Sequence, residues 1–164
     1  MTKLLLSIHV LAAILVVGPI TVAASLFPRY ARQASPVAAL LHRICRGYAV
    51  AGVAVPVFGI ATAIQLGVLT DAWLLTSLVL TAIAAAVLIL AILPGQGRML
   101  DGARTAGGAE GAEGAEGAEG AEGADDTGSR ATAARLAMLT GVFNVLWAVV
   151  VVLMIVRPGS TTGA

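Results

Sequence analysis

The sequence predicts an all-α polytopic membrane protein whose four transmembrane helices form an up-down bundle. Three observations predict it. Of the 164 residues, 59% are hydrophobic and only 12% are charged, whereas soluble domains carry about 25% charged residues. The apolar residues fall into four long runs, each near the roughly 20 residues that a helix needs to cross a bilayer core of about 30 Å. The runs are continuous rather than alternating and too long for barrel strands. A water-soluble fold of this size has no interior large enough to hide so much apolar surface, and lipid removes that difficulty.

The first run covers residues 4–27 and contains no formal charge, only His9. Met1-Thr2-Lys3 before it and Val22-Ala23-Ala24 within it resemble a signal peptide. The run is longer than an h-region of 7 to 15 residues, and cleavage would export the arginines that follow, so an uncleaved helix is expected. The second run covers 47–68 and the third 72–93, where Pro94-Gly95 reads as a helix stop. The fourth covers 136–156 and ends at Arg157-Pro158-Gly159. Pro19 and Pro56 lie inside spans, where membrane helices tolerate proline at the cost of a local kink.

The basic residues set an orientation. Arg29, Arg32, Arg43 and Arg46 follow the first span, and Arg98, Arg104, Arg130 and Arg135 flank the third loop. Lys3 and Arg157 sit at the opposite ends, and only Asp71 occupies the turn between spans two and three. The preference of Lys and Arg for the cytoplasm therefore predicts a multi-pass cell membrane protein with both termini outside.

Residues 95–131 break the composition. Ala-Glu-Gly occurs five times in succession from Ala109 to Gly123. A glycine at every third position opposes a helix by about 1 kcal/mol each. The glutamates repel one another and nothing larger than alanine is available to bury, so a disordered loop is expected. An acidic tether for a basic partner or cations and a slippage expansion without function are the two readings of the repeat.

Polar residues in the spans are the candidates for function, because such groups are costly in hydrocarbon. His9 stands about 8 Å into the first span at 1.5 Å per residue. An imidazole there is suited to haem or metal ligation, to proton relay, or to a hydrogen bond with a neighbouring helix. His42, beside Arg43, reads as a solvated interfacial residue. It lies on the order of 30 Å along the axis from His9, so one haem cannot take both from a single chain. Thr140, Asn144, Trp147, Val151 and Met154 share a face that is expected to point inward. Gln65, Asp71 and Trp73 cluster near the end that bears His9, with Trp73 an interfacial anchor and Asp71 either solvated or paired with His9. Gly47, Ala51, Val55, Gly59 and Ala63 recur every four residues and form a small-residue packing stripe, joined by Ala82, Ala85 and Ala86 of the third span. The stripe serves a bundle interior or a homodimer equally well. Cys45 is the single cysteine, which excludes an intramolecular disulfide and cysteine-based metal centres within one chain. No basic cluster with interleaved aromatics suggests nucleic acid.

Leu4-Leu5-Leu6-Ser7-Ile8-His9-Val10-Leu11-Ala12-Ala13, followed by Gly18-Pro19, resembles the opening of a family of small bacterial four-helix integral membrane proteins of unknown function. Gly141, Asn144, Trp147 and Arg157-Pro158-Gly159 resemble an actinobacterial branch of it. More distantly, the first span is similar to copper-resistance D-type proteins and HemJ-type protoporphyrinogen oxidases, and that resemblance implies a haem- or metal-linked role for His9 alone. The chain departs from them in having Val16-Val17 before Gly18, no membrane-embedded lysine and no second intramembrane histidine.

Three functions follow as expectations. The first is a non-enzymatic accessory or scaffold protein, since no nucleophile–base pair, carboxylate pair or phosphate loop is present. The second is a haem b or metal-linked redox protein using His9. The third is a small transporter with a polar path near Asn144, uncoupled from ions because the spans hold no charged residue.

Overall fold

The computed structural model describes residues 2–109 and 121–159, with side-chain surroundings for 3–105 and 127–159. It is all-α. Helix α1 is Thr2–Arg32, α2 is Pro36–Ala51, α3 is Ala54–Leu66 and α4 is Ala72–Ala86. A six-residue π-helical segment, Val87–Ile92, joins α4 to α5, Leu93–Ala109, and α6 is Ala121–Val156. The second span is thus α2 with α3, and the third is α4, the π segment and α5. Among the described residues, four helices are long and apolar enough to cross a membrane: Lys3–Arg32, Pro36–Leu66, Ala72–Thr105 and Thr127–Val156.

These helices outrun the apolar stretches that announce them. Hydropathy marks only residues that hydrocarbon must accept, while the backbone stays helical until a residue breaks it. At 31 residues, α1 is about 46 Å long by helix rise, which matches a bilayer with its headgroup layers. The second span begins at Pro36 because Ser35 caps it, accepting from the Val37 N–H at 3.3 Å, and proline suits the first helical position. It ends at Gly67, whose φ of 68° only glycine adopts without strain, with the Val68 N–H closing back onto the Ala63 carbonyl at 3.2 Å.

The expected stop at Pro94-Gly95 is not a stop. The helix runs through Pro94 by widening into the π segment just before it, where the Leu93 N–H reaches the Leu88 carbonyl. A proline N cannot donate and its ring crowds the preceding turn, and a π turn accommodates both. Against the expectation of a disordered loop over 95–131, α5 occupies its first part and α6 its last. Residues 110–120, the middle of the Ala-Glu-Gly repeat, lie outside the described residues.

The π segment also sets a face. Ala84, Leu88, Ile92 and Gln96 are all buried at four-residue spacing. Steps of four drift round an α-helix of 3.6 residues per turn, and the wider π turn cancels the drift. Ala82, Ala85 and Ala86, expected inside, are exposed instead. Helix α6 buries Ala133, Leu136, Thr140, Phe143 and Val150, a three-and-four alternation suited to bundle packing. Asn144 and Trp147 sit half-buried on its edge, and Val151 is exposed.

Helix α1 is the hub, packing against α2, α3 and α6, and α6 packs in turn on α4. The second and third spans meet through α2 and α5. The core runs through Val16, Ile20, Phe27, Leu41, Cys45, Leu88, Ile92, Leu136 and Phe143. Outside it the surface stays apolar: Val50, Leu90 and Ile155 are each at least 75% exposed. A face of that kind is at home in lipid and would aggregate in water.

Candidate functional site

Polar side chains meet at three levels of the bundle. The first is His9. Its ring is buried, and Nδ1 lies 2.9 Å from the Val55 carbonyl oxygen. A carbonyl only accepts, so Nδ1 carries the proton and donates. The ring lies across Gly59, where a Cβ would stand 2.9 Å from His9 Cε1. Glycine at 59 is what lets an imidazole fit between α1 and α3. Pro56 and the interruption of the helix at Gly52 and Val53 come just before this contact, with the Val55 N–H donating to the Gly52 carbonyl at 3.1 Å. His9 does not meet Asp71. That carboxylate accepts from the Trp73 indole Nε1 at 3.0 Å, and the Arg157 guanidinium stands 5.6 Å above the Trp73 ring. Trp73 is buried and clamps α4 to the end of α6 rather than anchoring in open headgroups. Gln65 is exposed and apart from this group.

The second level is at the opposite, arginine-rich end. His42 Nδ1 lies 3.0 Å from Gln96 Oε1, and Gln96 Nε2 donates to Cys45 Sγ at 3.7 Å. His42 is therefore not simply solvated: it donates to an amide that is 1% exposed and joins α2 to α5. Sequence reasoning missed Gln96 because a helix ending at Pro94 leaves it in the loop. The signal was available in Pro19 and Pro56, prolines already accepted inside spans.

The third level holds Thr140 and Asn144. Thr140 Oγ1 and Asn144 Oδ1 are buried, and neither finds a hydrogen-bond partner among the described residues. Other hydroxyls in the spans behave differently. Thr62, Thr76, Ser77 and Thr81 each donate to the carbonyl four residues earlier at 2.7 to 2.8 Å.

The small-residue stripe divides between two environments. Gly59 faces His9 and Ala63 is buried, but Gly47 and Ala51 are exposed, since the interruption at Gly52 turns the face. With Leu40, Arg43, Ile44 and Tyr48 they line a shallow outward groove of about 260 Å³. No group of three or more His, Cys, Asp or Glu side chains is placed to hold a metal among the described residues. Comparison with family models, curated proteins and solved structures finds no match to this chain.

Proposed function

We propose that this chain is a multi-pass cell membrane protein acting as a non-enzymatic accessory or scaffold, with both termini outside and its arginine-rich helix ends in the cytoplasm. The observation that carries this reading is the outward groove of α2, where Gly47 and Ala51 leave backbone open on an otherwise bulky apolar surface. Lipid supplies no hydrophobic drive between helices, so association in a membrane depends on close backbone approach at small residues. A second copy of the chain or a helix of another membrane protein is the expected occupant. The histidines fit the same reading, because each is engaged between helices of its own chain. Kinship with the small bacterial four-helix proteins belongs to this proposal and rests on the short motifs of the first and fourth spans.

A photo-cross-linker in place of Tyr48 tests it in cells. The reading expects a discrete cross-linked species that disappears when Gly47→Leu and Ala51→Leu fill the groove. A chain that yields only lipid adducts contradicts it. An absorption spectrum of the detergent-purified protein, expressed with ample haem, decides against the redox alternative if it shows no Soret band. A Soret band lost in His9→Ala would replace the scaffold reading with the haem one.

A further inference from the structure

Helix α6 carries two parallel rows of side chains, and the bundle uses one of them. The inner row is Leu136, Thr140, Phe143, Trp147 and Val150, which advances in alternating steps of four and three where α6 packs on α1 and α4. The second row lies one residue further on: Ala137, Gly141, Asn144, Ala148, Val151 and Ile155. It keeps the same alternation, a mean spacing of about 3.5 residues, which holds a row against a partner helix in a left-handed supercoil. Every member is exposed except Asn144, which is half-buried. A Cβ at Gly141 would meet nothing. Among the described residues, this packing row has no helix of its own chain upon it.

Asn144 sets the row apart from the rest of the apolar surface. Its Oδ1 is buried and without a partner. Its Nδ2 has no partner among the described residues either and is not enclosed, so two N–H donors stand open on the row. By helix rise the amide lies about 12 Å from Leu136 and about 18 Å from Val156, near the middle of the apolar run. Lipid tails offer neither donor nor acceptor at that depth, and leaving an amide unpaired there is costly. Only a polar group brought to the same depth by another helix satisfies it.

The chemistry selects the partner. Copies of one chain share one orientation in a membrane, so a two-fold axis along the membrane normal sets α6 beside α6 in parallel, with each residue opposite itself. Asn144 then meets Asn144 at equal depth. An amide is self-complementary: one copy donates from Nδ2, and the other, its amide turned by half a turn about χ2, accepts at Oδ1. A lone asparagine in an apolar row fixes register and oligomeric state in this way. Ala137, Gly141 and Ala148 on either side leave the two backbones room to approach. A foreign helix would have to bring its own polar group to that level. We infer that the row from Ala137 to Ile155 is a homodimer interface, closed by an Asn144–Asn144 hydrogen bond across the two-fold axis. It lies on a different helix from the α2 groove, and neither reading needs the other.

Two measurements on the full chain decide it. The first is oxidative cross-linking in native membranes, in a Cys45→Ala background. Ala137→Cys, Gly141→Cys and Ala148→Cys should each give a disulfide-linked dimer. Val142→Cys and Val149→Cys, exposed on another face of α6, should not. The second is energy transfer between labelled copies in liposomes at falling protein-to-lipid ratio. Asn144→Leu should weaken the dimer about tenfold, the scale of a hydrogen bond between membrane helices. Gly141→Leu, whose side chain enters open space in the single chain, should abolish the dimer without disturbing the fold. A chain that stays monomeric at every ratio overturns the inference. So do cross-links at 142 and 149 equal to those at 137, 141 and 148, an affinity unchanged by Asn144→Leu, or a row that cross-links only to a different protein.

Discussion

At the scale of single residues, the bundle holds its polar groups by pairing an unusual side chain with a residue that makes room for it. His9 and Gly59 are such a pair. His9→Ala removes a buried ring and its hydrogen bond to Val55, and a loss of roughly 2 to 3 kcal/mol is expected. Gly59→Ala should approach that loss without touching the histidine, since its methyl enters the space of the ring. Reversible unfolding in mild detergent measures both, and a neutral Gly59→Ala would contradict the packing described for α1 and α3. His9, Thr140 and Asn144 were legible in the sequence as polar residues in apolar runs, because the cost of burying them is a property of the side chain alone. The partner of His9 was not legible. The carbonyl of Val55 is available to a ring only where Gly59 and the local break in the helix allow it, and that is a fact of three dimensions.

At the scale of elements, proline does more than kink. Pro94 reads as a terminator by rules drawn from helices in water, where a broken backbone hydrogen bond is readily replaced by solvent. In a span the chain keeps its remaining bonds internal, and widening to a π turn achieves that. The consequence is positional: the π turn brings Gln96 onto the inner face, against His42 and Cys45. Pro94→Ala is expected to release the segment toward α-helical hydrogen bonding and rotate Gln96 away. Cys45, fully buried and the single cysteine, reports this directly. A membrane-permeant maleimide should label it slowly in the wild type and faster in Pro94→Ala and in Gln96→Ala. Equal rates in all three would mean that the π segment does not control this end of the bundle. Gln96→Leu, which keeps Cys45 covered but deprives His42 of its acceptor, should cost about 1 kcal/mol, as interhelical hydrogen bonds in membranes do. The same reasoning explains why the apolar runs that begin at 47 and 136 lie inside longer helices. Hydropathy sees the lipid-facing length, and the capped helix starts earlier at Pro36.

At the scale of the whole molecule, the four-helix architecture was written in composition and run length, and the structure carries it with an apolar exterior over the length of each span. The asymmetry of charge is as plain: eight of the ten basic residues lie at one end of the bundle and two at the other. We propose that this chain threads the bilayer four times with that arginine-rich end in the cytoplasm. Cysteine accessibility in intact cells tests it most directly, in a Cys45→Ala background. Thr70→Cys stands in the turn beside Asp71, and Gly128→Cys lies near the start of α6 with open space for its side chain. An impermeant maleimide added outside should label Thr70→Cys in intact cells and Gly128→Cys only after the membrane is opened. Labelling of Gly128→Cys in intact cells with Thr70→Cys protected would invert the topology. Recovery of the protein in the aqueous fraction without detergent would contradict the spanning architecture itself.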